Sequence, residues 1–345
     1  MEALPNEPYA ADCRGTESAR RAVCDYLKGR ALIEPLDLLL TASTSEAYAY
    51  LLLALCDVGD AILVPSPGYP LLDDIAQLLG VRLVHYSLAY DGQWFLDSAT
   101  LPTLEQVRTQ NIRAVVAISP HHPTGHVLSE KELGQLGALS LPVIVDEVFE
   151  PYVLDRRDTD AEVLGAAIDV GLLCVLGGLS KSAAAPGLKL GWLVARGAHA
   201  RQFLSDLEWI SDAFLSVNQP VQQGLARILA QAVPIQTTIR TRLYETRDLV
   251  LKLCDQSPVT ALCTRAGWSM ILRLPHVLSE ASWCELLLAQ GVRVHPGRLY
   301  ALPFPCSVVV SLLTEPSQLK LGLERLLLLV HAQLTDDPTG LFVPP

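Results

Sequence analysis

The sequence predicts an α/β protein: a three-layer domain built on a mostly parallel seven-stranded sheet, followed by a smaller α+β domain towards the C-terminus. Two observations carry this prediction. From about residue 37 to residue 200, short continuous apolar runs alternate with helix-length stretches; beyond residue 200 the pattern changes to long helices followed by scattered short strands. Continuous apolar runs mark strands covered on both faces, the situation of a parallel sheet with helices on either side.

The seven runs lie at residues 37–42, 61–65, 82–87, 113–119, 142–148, 172–178 and 189–195. After the first, SEAYAYLLLALCDVGD reads as a helix that stops at Gly59, whose lack of a side chain suits the left-handed turn of a helix end. Residues 201–216 and 220–254 read as two helices, the second carrying Ile239, Leu243, Thr246, Val250 and Leu253 on one stripe. Strand-like pieces at 267–275, 291–296 and 306–313, mixed with helices at 279–290 and 316–334, make the smaller domain. The expected organisation is an N-terminal segment 1–30 that joins the small domain, a large domain 31–215, an interdomain helix and small domain 216–335, and a loose tail 336–345.

Composition narrows the function. Half of the 345 residues are hydrophobic, enough for a sizeable core. The 26 basic residues against 37 acidic ones give a net charge of −11, with no lysine or arginine run, which argues against nucleic acid and anionic membrane as partners. Apolar stretches such as LLLALC and LERLLLLVHAQL are too short or too interrupted for the roughly 20 residues of a membrane span. The eight cysteines show no CxxC pair and read as reduced thiols. MEALPNEPYAADCRG lacks the apolar centre of a signal peptide, so a cytoplasmic protein is expected.

The stretch with most chemistry is GGLSKSAAAPGLKLGW, residues 177–192. Lys181, one of six lysines, follows a buried strand and sits among small residues. Desolvation there would lower its pKa and favour the free amine that Schiff-base chemistry needs, although a surface-loop lysine is the plainer alternative. Ser43, Thr44 and Ser45 stand between a strand and a helix, where backbone amides and the helix dipole favour a phosphate. SPHHPTG, with His126 directly after it, invites a metal reading. Neighbouring side chains of an extended loop point to opposite sides, and no Cys, Asp or Glu follows until Glu130, so no metal site is expected. His121 and His126 read as solvated loop residues.

PSPGYP at 65–70, HPTG at 122–125, VDEVF at 145–149, the lysine stretch with PGLKLGW, and GVRVHPG at 291–297 occur in the order and spacing of one family. Over residues 9 to 330 the chain resembles the class I and II aminotransferases, pyridoxal-phosphate enzymes of fold type I. The resemblance implies that Lys181 forms the Schiff base and carries the proton between the substrate α-carbon and the cofactor. It implies that Asp146 pairs with the pyridine nitrogen, that Tyr69 stacks on the ring, and that Ser43, Thr44 and Ser45 cradle the phosphate. Lys189 stands where the family has a phosphate-binding arginine, keeping the charge without the bidentate fork. A homodimer with sites at its subunit interface is likewise implied.

Four departures from the family are equally informative. His122 replaces an asparagine that touches the cofactor phenol oxygen and the substrate carboxylate; Phe149 replaces a tyrosine that donates to that oxygen; Gly178 replaces a phosphate-binding serine. The arginine that grips the substrate α-carboxylate falls at Val309, and no arginine occurs between Arg298 and Arg325. The N-terminus also starts late by comparison. Phe149 can donate nothing, so a protonated His122 is expected to compensate in part. Loss of the arginine removes charge-assisted contacts of about 1.5–3 kcal/mol per hydrogen bond, which Arg298, Arg265 or Arg14 would have to supply. The function implied is an aminotransferase acting through Lys181 on an unusual amine or amino acid. A lyase, decarboxylase or cyclase of the same fold, or a catalytically weakened binding subunit, stands as the alternative.

Overall fold

The computed structural model describes residue 9 and residues 11–166 and 170–335; the expected loose tail lies outside the described residues. The large sheet contains β1 (Leu38–Thr41), β2 (Ala61–Ser66), β3 (Arg82–Tyr90), β4 (Trp94–Leu96), β5 (Ile112–Ile118), β6 (Val143–Asp146), β7 (Leu173–Gly178) and β8 (Gly191–Arg196). Their order is β1-β8-β7-β6-β5-β2-β3-β4. The run from β7 through β6, β5 and β2 to β3 is parallel, while β8 is antiparallel to both β7 and β1. Each expected strand is present, but the sheet has eight strands rather than seven. The additional one, β4, is a three-residue return that pairs antiparallel with β3, too short to register as an apolar run.

The helices are α1 (Glu17–Leu27), α2 (Thr44–Leu55), α3 (Leu71–Leu79), α4 (Leu104–Thr109), α5 (Glu130–Gly137), α6 (Leu179–Ser182), α7 (Ala200–Asp212), α8 (Gln219–Ala230), α9 (Ala232–Cys254), α10 (Glu280–Ala289) and α11 (Pro316–Thr335). The single helix expected over 220–254 is therefore two. Pro234 offers no N–H to the Ala230 carbonyl and its ring crowds that oxygen, so the chain turns at Gln231 and begins again. A small antiparallel sheet, ordered β11-β12-β10-β9, comprises β9 (Thr260–Ala261), β10 (Ser269–Arg273), β11 (His295–Pro296) and β12 (Ser307–Ser311). The strand expected at 291–296 shrinks to its last two residues.

Alternation along the central strands distributes side chains to two cores. On β6, Val143 and Val145 join one cluster and Ile144 the other; on β7, Val175 and Leu176 divide in the same way. Both faces are apolar because both are covered, which is why these strands read as unbroken apolar runs. One face packs on α2, α3 and α7, and the other on α1, α5 and α8. Ala19, Val23 and Leu27 of α1 belong to a core cluster that contains large-sheet residues such as Val143 and Val175 and also Ile271 and Val309 of the C-terminal part. The small sheet has its own core with α9, α10 and α11, centred on Trp283 and Leu243.

Strand polarity determines where chemistry can collect. The carboxyl ends of β2, β5, β6 and β7 lie along one edge because those strands are parallel. β1 is antiparallel to β8, itself antiparallel to β7, so the end of β1 and the start of β8 reach the same edge. That edge is where open α/β sheets bind ligands. Ile144 lies wholly buried in the middle of β6. Ile144→Ala should cost about 2–5 kcal/mol, seen as a lower thermal midpoint; an unchanged midpoint would contradict the packing described.

Candidate active site

Every residue singled out in the sequence as catalytic or cofactor-binding lines one cavity of about 620 Å3: Ser43, Thr44, Ser45, Tyr69, His122, Asp146, Phe149, Lys181 and Lys189. The cavity lies at the carboxyl edge of the large sheet, and Trp268, Arg293, His295, Tyr300 and Val309 of the C-terminal part complete its wall.

Lys181 is delivered by the exit from β7. Gly177 and Gly178 let β7 and β8 approach closely: a Cβ on Gly177 would stand 2.4 Å from the Trp192 indole nitrogen, and one on Gly178 would stand 3.2 Å from the Gly191 Cα. The chain then makes the single turn α6, and the Tyr152 hydroxyl donates to the Lys181 carbonyl at 2.6 Å. Gln236 donates to the neighbouring Ser182 carbonyl at 2.7 Å, which fixes the turn from the α9 side. The Lys181 ammonium sits 5.3 Å from the Trp268 ring centroid and 5.7 Å from that of Phe149. Burial lowers its pKa, with Asp146 opposing the shift.

Asp146 ends β6 and is buried. Its oxygens accept from the Val148 amide at 3.1 Å and the Tyr48 hydroxyl at 3.2 Å. Burial raises its pKa to about 6 against the pull of these donors and of Lys181. A desolvated carboxylate of this kind is stabilised by a cation brought into the cavity, and a protonated pyridine nitrogen fits that need. The phosphate end fits as well. Ser43 caps α2 by accepting from the Glu46 amide, while the amides of Thr44 and Ser45 donate to no acceptor among the described residues. Lys189 reaches the same cavity from a left-handed conformation, φ 49°, which a non-glycine residue adopts at a cost and which is common at binding sites. These residues could hold pyridoxal phosphate: an anion-binding helix start, an acid for the ring nitrogen and an amine for the carbonyl carbon.

Several sequence expectations are corrected here. His121 and His126 are buried rather than solvated: His121 Nδ1 lies 2.9 Å from the Thr124 hydroxyl, and His126 Nε2 lies 3.3 Å from Glu132. They anchor the loop that presents His122. His122 itself is no cation: burial, the Lys181 charge and His295 push its pKa down to about 4. Burial thus works against the protonated donor expected from the sequence, and its Nδ1 stands 3.4 Å from the Ser269 hydroxyl. None of the three arginines nominated to replace the missing one lines the cavity. Arg14 is paired with Glu208, Arg265 with Asp160 at 2.7 Å, and Arg298 with Glu280 at 3.4 Å.

Tyr48, Tyr300, Trp268 and Arg293 are among the lining residues that sequence reasoning missed. Tyr48 follows Thr44 by one helical turn and could have been found from that spacing. Tyr300 packs edge-on to His122 with ring centroids 5.3 Å apart. Trp268 and Arg293 come from the C-terminal part; Arg293 lies within GVRVHPG, a stretch that marks the family without marking this side chain. Among the described residues no group of three or more His, Cys, Asp or Glu could hold a metal ion, and no helix is long and apolar enough to cross a membrane.

The chain belongs to the class I and II aminotransferase family, whose model matches residues 9–326. It is 30% identical over 345 residues to the alanine aminotransferase of Mycobacterium tuberculosis (strain ATCC 25618 / H37Rv), spanning 94% of this chain and 79% of that protein. It is 26% identical over 341 residues to the glutamate–pyruvate aminotransferase AlaA of Escherichia coli (strain K12), covering 93% and 82% of the two. The fold matches that of the alanine aminotransferase from Pyrococcus furiosus with a TM-score of 0.83, at 22% identity and over 94% of this chain and 84% of the other. Enzymes of this family and fold use pyridoxal 5′-phosphate, and this protein is a pyridoxal-phosphate-dependent aminotransferase. The lyase, decarboxylase, cyclase and binding-subunit alternatives are not favoured.

Two tests follow from the geometry. A methyl on Gly191 would meet the Ser43 carbonyl carbon at 2.9 Å and the Thr44 amide at 3.1 Å. Gly191→Ala should therefore displace the phosphate turn and weaken cofactor retention in reconstitution titrations; unaltered affinity would contradict the cradle. The second concerns Asp146, raised from 3.8 to about 6 in the folded protein. A raised carboxyl pKa means that ionisation costs stability, a cost absent at pH 4 and fully present above about pH 6. In cofactor-free protein, Asp146→Asn should raise the thermal midpoint relative to wild type at pH 8 but not at pH 4. An equal shift at both pH values would contradict this.

Proposed function

We propose that the protein transfers an amino group between a small amino acid or amine and an oxo-acid acceptor, with Lys181 as the nucleophile and proton carrier. One observation carries this reading: Lys181, Asp146 and the free amides opening α2 converge on one cavity. Bound there, the cofactor supplies a carbonyl carbon for the substrate amine and an electron-withdrawing ring. Asp146 would pair with the ring nitrogen and favour its protonated form. Thr44, Ser45 and Lys189 would hold the phosphate, and Tyr69, His122 and Phe149 of the same cavity would hold the ring. Lys181, with a lowered pKa, can accept a proton at the substrate α-carbon and return it on the cofactor side. Burial behind Trp268 and Phe149 limits loss of that proton to water.

The names of the relatives favour a small amino donor such as alanine or glutamate and pyruvate as an acceptor. His122 and Val309 favour a carboxylate grip unlike theirs. A cytoplasmic protein fits its eight unpaired cysteines. A homodimer fits the exposed Trp209 and Phe214 beside α7, apolar surface that a second subunit would cover. We place the large domain at residues 31–215 and, after it, an interdomain helix and small domain at residues 216–335, with α8 packing back on the large sheet.

The test is a half-reaction. Reconstituted protein given L-alanine or L-glutamate should convert its yellow form to the colourless amine form of the cofactor and release one oxo acid per site, while Lys181→Ala should lose this conversion. Equal turnover in Lys181→Ala would refute the assignment of the nucleophile.

A further inference from the structure

We propose that Arg293 is the anchor for the substrate carboxylate, the charge having moved from β12 to the chain leading into β11. This rests on the aminotransferase reading and adds to it the residue that selects amino acids over simple amines.

The cavity wall carries one carboxylate, Asp146, against three basic side chains, Lys181, Lys189 and Arg293. In a chain of net charge −11, that excess of positive charge marks a place for anions. Two of the cations have work at the cofactor: Lys189 lies with the phosphate turn, and Lys181 faces Asp146 and the reacting carbon. Arg293 is left, on the wall formed by the C-terminal part. Among the described residues it makes no hydrogen bond or ion pair, whereas Arg14, Arg265 and Arg298 are all occupied. Its guanidinium is thus free to form the two parallel hydrogen bonds that a carboxylate accepts.

The sheet register makes the exchange geometrically direct. Val309, where the family resemblance leads one to expect the arginine, pairs across the strands with His295, and His295 lies two residues from Arg293. Val309, Arg293 and His295 all line the cavity. His295 is held by Tyr300, its Nδ1 lying 2.7 Å from the hydroxyl, and Tyr300 in turn packs on His122 and Tyr69. A carboxylate at Arg293 would therefore sit on the side of the cavity where Val309 has no charge to offer, next to a polar imidazole. The buried Val309 side chain leaves an apolar floor there.

The test compares two ligands with no α-proton to lose, 2-methylalanine and tert-butylamine, the second having a methyl group in place of the carboxylate. Their dissociation constants are measured by titration calorimetry on the reconstituted wild type, Arg293→Gln and Arg293→Lys. Arg293→Gln should weaken 2-methylalanine about tenfold to a hundredfold, the loss of one or two charge-assisted hydrogen bonds, and leave tert-butylamine unchanged. Arg293→Lys should recover part of the loss. Arg293 is exposed, so thermal midpoints should stay at the wild-type value. Wild type that does not prefer the amino acid, or an Arg293→Gln variant that keeps the preference, would overturn the proposal. Because binding alone is read, that outcome leaves the half-reaction test of the aminotransferase reading standing on its own result.

Discussion

Asp146 and Lys181 are the two charges that the large sheet drives out of water at its carboxyl edge, and the rest of the site is arranged around the cost of doing so. Each shifts in the direction that burial dictates, the acid upward and the amine downward, and each partly relieves the other. The Tyr48 hydroxyl and the Val148 amide supply Asp146 with two donors but no full charge. Two groups so placed are poised for a ligand with a cationic ring nitrogen and an electrophilic carbon. Parallel strands explain why they meet: β6 ends in one and β7 leads into the other, side by side in the sheet.

The supports of this pair are mostly uncharged. Tyr152 and Gln236 grip carbonyls on either side of the Lys181 turn, and glycines at 177, 178 and 191 let β7, β8 and the start of α2 close up. Local strain at Lys189 is kept because its neighbours fix the short helix before it. Buried His121 and His126 hold the loop carrying His122. The fold is that of the family, and function resides in the site that this fold carries.

Much of this was legible in the sequence, and for physical reasons. The central strands are covered on both faces, so Val143–Asp146 and Leu173–Gly178 stand out as apolar runs, and the residues at their ends were identifiable as site residues. β4 leaves no sequence signal, since three residues carry no period, and the break at Pro234 is masked by the long helical stripe around it. The polarity of the histidine loop was misread because a polar string looks solvated, whereas tertiary packing buries His121 and His126. Local sequence also says nothing of which arginines become paired across the fold, and only the fold brings Asp160 to Arg265. Arg293 emerges only from the way β11 is laid against β12.

The central claim is that the cofactor is held covalently by Lys181. Borohydride reduction of the yellow protein followed by peptide mass mapping tests it directly. The account predicts one reduced cofactor adduct per chain, on the peptide containing Lys181. An adduct on Lys189 or another lysine, with Lys181 unmodified, would contradict it.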